Sequence, residues 1–90
     1  MSTPETWLKE LSESHGITGR EEPVTKWILE QIRPTIDDCR FTPMGNLLVT
    51  KKSSHLSHPK IMISTHVDEI GLVVSAVLEN GFVRVEPRGG

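Results

Sequence analysis

The chain holds a single cysteine, no tyrosine, and only two Trp and two Phe. One thiol cannot close an internal disulfide, and it excludes zinc centres built on cysteine pairs. Cys39 stands between Asp38 and Arg40 at the head of an apolar stretch, which suits a structural thiol better than a nucleophile. A basic excess is also missing. Lys and Arg total 10 against 12 Asp and Glu, a net charge of −2, so nothing drives counterion-releasing association with DNA or RNA. Apolar runs are only a few residues long, far short of a membrane span. The start, Met1-Ser2-Thr3-Pro4-Glu5, has neither the basic region nor the apolar core of a secretory signal, and the expectation is a cytoplasmic protein.

What remains is a thin globular composition: 36% hydrophobic and 24% charged over 90 residues, room for one domain at most. A compact protein of this size buries about 64% of the surface its unfolded chain exposes, near the lower limit for independent folding.

Thr3-Pro4-Glu5 reads as a helix start, and Trp7, Leu8 and Leu11 follow at helical spacing before Gly16. Thr18-Gly19-Arg20-Glu21 fits a capping box, with Pro23 pushing the true start a residue or two later. Val24, Trp27, Ile28 and Ile32 then form a second apolar stripe that Pro34 ends. Strands are expected at 38–42 and 46–52 around Pro43-Met44-Gly45, and at 71–78 and 82–86 around a type I′ turn at Asn80-Gly81. A fifth strand at 60–65 would carry buried Ile61 and Ile63. Two helices and about five strands make an α/β or α+β chain. Two short helices cover one face of such a sheet, so the sequence is expected to be the front end of a larger protein.

The informative stretch is Ser64-Thr65-His66-Val67-Asp68-Glu69-Ile70-Gly71. On an extended chain, His66 and Asp68 project to the same side. A neutral imidazole is a good zinc or cobalt ligand, and a carboxylate two residues on can bond the other ring nitrogen. Gly71 lets the backbone leave the site without strain. Alone, His-x-Asp also fits a solvated loop.

With its surroundings this stretch resembles the signature of the tetrahedral, or glutamyl aminopeptidase, family of binuclear metallo-aminopeptidases. Residues 11–22, Met44-Gly45-Asn46-Leu47 and residues 80–90 are similar to that family's opening helix-turn-helix, hairpin element and following strand pair. Thr42 departs from it, since the family usually has an acidic residue there. The resemblance implies an α/β, phosphorylase/hydrolase-like zinc-exopeptidase domain, with residues 1–70 its N-terminal portion. It implies that residues 71–90 begin a β-barrel dimerisation insert, both parts being incomplete. His66 would be a ligand to one of two divalent metals, zinc or cobalt. Asp68 would be the catalytic-centre carboxylate that orients it. Peptide substrates cut at the N-terminus, and homo-oligomers in which dimers build a dodecamer, are further implications. The remaining ligands and the general base would lie beyond position 90, leaving the chain inactive alone. A small non-catalytic β-rich interaction module without a metal site is the alternative.

The other candidates fit plainer roles. Glu21-Glu22 suit a helix N-terminus, Asp37-Asp38 a turn, and His15 a helix end. His55 and His58 sit in a polar loop, and Trp7 and Trp27 are expected core anchors.

Overall fold

The structure, a computed structural model, describes residues 3–90. Two helices, α1 (Pro4–Glu13) and α2 (Glu22–Ile32), lead through a 3₁₀ turn (Arg33–Thr35) into four strands: β1 (Asp38–Phe41), β2 (Leu47–Thr50), β3 (Gly71–Val77) and β4 (Val83–Arg88). The class is α/β. The strands form two separate antiparallel hairpins, β1–β2 and β3–β4.

Helix α1 begins as its sequence dictates. The Thr3 hydroxyl accepts a hydrogen bond from the Thr6 N–H at 3.2 Å, and Pro4 occupies the first turn. Helix α2 starts later than the capping-box pattern suggests. Its cap is Glu21, whose side chain makes no capping bond to the helix. Thr18 is drawn elsewhere, because Ile17 to Arg20 close a turn (Arg20 N to Ile17 O, 2.8 Å) with Gly19 at φ +89°. That is a type II turn with Thr18 at its first corner. Pro34 does end α2, as expected.

Both hairpins use one loop geometry. Gly45 N–H donates to Thr42 O at 2.9 Å, and Thr42 N–H to Asn46 O at 2.9 Å. Gly81 N–H and Leu78 N–H repeat the pattern, donating to Leu78 O at 3.3 Å and Phe82 O at 2.8 Å. Gly45 and Gly81 have φ of +88° and +84°, while no non-glycine among the described residues has positive φ. Each loop is therefore a type I turn closed by a left-handed glycine bulge. This corrects the type I′ expectation at Asn80-Gly81, which needs positive φ at Asn80 too. Strand β4 also runs on through Pro87 to Arg88, past its expected end. Pro87 is tolerated because β4 is an edge.

The largest departure is at 60–65. No strand forms there, and Ile61 and Ile63 are each 84% exposed rather than buried. Among the described residues, no backbone of 60–66 hydrogen-bonds to another backbone group. A strand exists only where a neighbour completes its ladder, and neither hairpin offers one here. Consequently His66 follows an unpaired segment, not the end of a buried strand. The core is correspondingly small. Val24, Leu29 and Thr25 are the buried residues of α2, and both tryptophans are half-buried rather than fully enclosed. The Trp7 indole nitrogen is buried without a partner. The surface reaches 8094 Å² and the radius of gyration 17.6 Å. A compact protein of this size would show about 5,300 Å² and a radius of about 12 Å.

The β3–β4 hairpin shows where apolar surface is left open. Val74 faces Val85 and Val77 faces Val83, with a bulge between Val74 and Ala76. Without the bulge Val74 and Val77, three apart, would lie on opposite faces. The bulge puts both on one face with Leu72, Val83 and Val85, all exposed. The reverse face carries Arg84 and Glu86. An open strand edge beside an apolar face promotes pairing with another copy. Sedimentation of the chain should therefore show concentration-dependent dimers or larger species, and a Val74→Lys/Val85→Lys variant should shift it toward monomer.

Gly16 supplies a packing prediction. A Cβ added there would lie 2.6 Å from Val24 Cγ2. Gly16→Ala should destabilise the chain by about 1–3 kcal/mol through overpacking. Because Val24→Ala removes the obstructing methyl, the double variant should lose less than the sum of the two singles in denaturant melts.

Candidate functional site

The turn between α1 and α2 reaches across to the segment carrying His66. Glu69 N–H donates to Gly16 O at 2.9 Å, and Ile17 and Glu69 form an isolated parallel bridge. That short pairing lays Thr18 beside Asp68, and the Thr18 hydroxyl donates to Asp68 Oδ2 at 2.8 Å. Small residues permit the approach. Gly16 is buried against Val24 and the Val67 carbonyl, and a side chain on Gly71 would collide with Ile17.

From this anchored position Asp68 engages His66 twice. The imidazole Nδ1 is 3.0 Å from the Asp68 backbone oxygen and 3.2 Å from its Oδ1. A carbonyl oxygen can only accept, so the first contact is a hydrogen bond when Nδ1 carries the proton. The neutral ring then keeps its lone pair on Nε2. His66 is 86% exposed, so that nitrogen faces open space. Proteins present imidazole to a divalent metal in this way, with the second nitrogen held by a carboxylate or carbonyl. One such ring fits one coordination position. Among the described residues, no three His, Cys, Asp or Glu side chains gather to complete a metal site.

The remaining candidates stay apart from this pair. Glu21 accepts from Gly19 N–H at 2.7 Å, and Glu22 pairs with Lys26 at 2.6 Å on the surface of α2. Asp38 opens β1 and accepts from the Cys39 N–H, while Cys39 is half-buried and free. The His55 and His58 rings lie 4.7 Å apart, tilted at 44°, in the exposed loop, with Ser53 Oγ 2.9 Å from His58 Nδ1. His15 lies just past the end of α1. The sequence pattern assigned Thr18 to a helix cap and so missed its bond to Asp68. Its target is 50 positions away, and no local spacing rule reports it.

The M42 glutamyl aminopeptidase family matches residues 45–90, half of the chain, and the chain belongs to that family. It is 34% identical over 83 residues to the glutamyl aminopeptidase of Lactococcus lactis, covering 92% of this chain and 23% of that protein. Among solved structures, an aminopeptidase from the archaeon Desulfurococcus kamchatkensis superposes with a TM-score of 0.82 at 38% identity, over 92% of this chain and 23% of that one. A Thermotoga maritima protein described as an endoglucanase superposes at 0.84 with 37% identity, over 92% and 26%. The chain thus spans about a quarter of the length of the relatives it matches. None of its helices is long and apolar enough to cross a membrane, among the described residues.

Electrostatics adds a prediction. The Thr18 hydroxyl, first, and the His66 imidazole hold the Asp68 carboxyl below its ordinary range. A depressed folded-state value means this contact stabilises the fold above the ordinary carboxylate range and is lost as pH falls through the lowered value. Thr18→Val should raise the Asp68 titration midpoint toward the ordinary value, read by ¹³C carboxyl shifts. An unmoved midpoint would show that the hydroxyl contributes nothing to the charge.

Proposed function

We propose that the chain is the N-terminal portion of a metal-dependent aminopeptidase, in which His66 supplies one metal ligand and Asp68 holds its ring. The observation that carries this reading is the engagement of His66 Nδ1 by Asp68, which leaves Nε2 available outward. Membership of the family supports it, and so does a relative named for glutamyl aminopeptidase activity. No comparison favours the non-catalytic interaction module.

In the complete protein the reaction is hydrolysis of the N-terminal peptide bond of a peptide substrate. The divalent metals, two zinc or cobalt ions, supply Lewis acidity and an activated water when bound. This chain's own residues do the positioning. Thr18 and the Gly16–Glu69 backbone bond fix Asp68, Asp68 fixes the imidazole, and the imidazole offers a lone pair with no proton on it. The other ligands and the general base come from the remainder of the protein. We read residues 71–90 as the start of a β-barrel insert used in homo-oligomer formation. The independence of the β3–β4 hairpin from β1–β2 supports that reading.

On its own the 90-residue chain should bind zinc or cobalt only weakly, because a closed zinc site needs about four ligands, and it should release no amino acid from peptides. In the protein as its gene encodes it, His66→Ala should lose one metal by calorimetric titration and nearly all turnover of aminoacyl-nitroanilides. Asp68→Asn should lower metal affinity or rate about 10–100-fold. Unaffected His66→Ala protein, or sugar release from a soluble β-glucan in place of aminopeptidase turnover, would overturn the assignment.

A further inference from the structure

We infer that Thr18 is a positioning residue for the metal-ligand pair, acting through Asp68 from the turn that joins the two helices. The inference rests on the proposed role of His66 and adds a third member to it. Three features on different segments converge. Gly19 at φ +89° makes the type II turn that puts Thr18 at its corner. The bond from Glu69 N–H to Gly16 O docks that turn alongside the segment 67–69. The Thr18 hydroxyl then donates to Oδ2 of Asp68 at 2.8 Å, while Oδ1 faces the imidazole Nδ1 at 3.2 Å beside the 3.0 Å contact of that nitrogen with the Asp68 backbone oxygen.

The physical point is division of labour between the two carboxylate oxygens. A carboxylate on a loop rotates freely about its terminal torsion, so either oxygen, or neither, can meet the ring. A donor fixed to one oxygen stops that rotation and aims the other at Nδ1. Charge-assisted hydrogen bonds of this type are short and directional. The hydroxyl is therefore needed for its donor, not its bulk. Serine should substitute for threonine, and the isosteric valine should not. A residue that merely shaped the turn would show the reverse preference, since valine keeps threonine's shape and β-branching.

The experiment uses the protein as its gene encodes it, with zinc and cobalt as probes. Thr18→Val should weaken metal binding about 10-fold in competition with a chelator, at the lower end of the range for partners of metal ligands. In the metal-free protein, the ¹⁵N shift of His66 Nδ1, which lies 3.0 Å from the Asp68 backbone oxygen and 3.2 Å from Oδ1, should move in Thr18→Val as Oδ1 turns away from it. Thr18→Ser should restore both readouts to within about twofold. Wild-type affinity and ring shifts in Thr18→Val, alongside a His66→Ala variant that has lost metal, would overturn the role of Thr18 and leave that of His66 standing. Wild-type metal binding in His66→Ala would overturn both. Should Thr18→Val fail to fold, Thr18→Ala is the second variant. Loss of folding in both, with Thr18→Ser intact, would assign the hydroxyl to the turn itself and overturn the inference.

Discussion

One backbone hydrogen bond, from Glu69 N–H to Gly16 O, joins the helical third of the chain to the segment that bears the chemistry. Residues 60–66 have no backbone partner among the described residues, so nothing upstream fixes where His66 lies. The Gly16–Glu69 bond and the Ile17 bridge supply that reference point. Everything at the site follows from it: the Thr18 contact, the direction of the Asp68 carboxylate, and the seat of the imidazole. Gly16 is the residue that makes the approach possible, because a side chain there would meet Val24.

Local physics was the legible part of this sequence. Thr3-Pro4, Pro34, Pro43-Met44-Gly45 and Asn80-Gly81 all mark boundaries through the conformations that Pro and Gly impose within a few residues. Asn80-Gly81 marks where the second turn falls but not its type, since Asn80 tolerates positive φ but is not obliged to adopt it. His66 and Asp68 were legible as a pair for the same reason, being two residues apart. What failed was non-local. A continuous apolar run, Ile61-Met62-Ile63, signals a strand covered on both faces, yet coverage belongs to the neighbours and not to the run. Likewise Thr18 has two uses for its hydroxyl, a nearby helix or a distant carboxylate. Its own flanks cannot decide between them.

The unburied surface follows from the same division. Both hairpins are complete as hydrogen-bonded units, because their loops close within five residues. Hydrophobic coverage needs a second layer, and the two hairpins form separate two-stranded sheets rather than one larger one. The exposed line of Leu72, Val74, Val77, Val83 and Val85 is thus not random. The bulge between Val74 and Ala76 keeps it on one face.

The same openness sets how strong the contacts at the site are. An imidazole 86% exposed beside a partly exposed carboxylate sits in nearly bulk water, where an ion pair is worth little. Coulomb interactions at the same distance grow several-fold once surrounding protein lowers the effective dielectric. The chain therefore sets direction, through hydrogen bonds that survive in water, and leaves strength to whatever excludes solvent around it. Orientation is the component that a 90-residue segment can encode by itself, because it needs two residues on one loop and one on a neighbouring turn. Desolvation needs a shell of many residues, and a chain with this few buried side chains has none to lend.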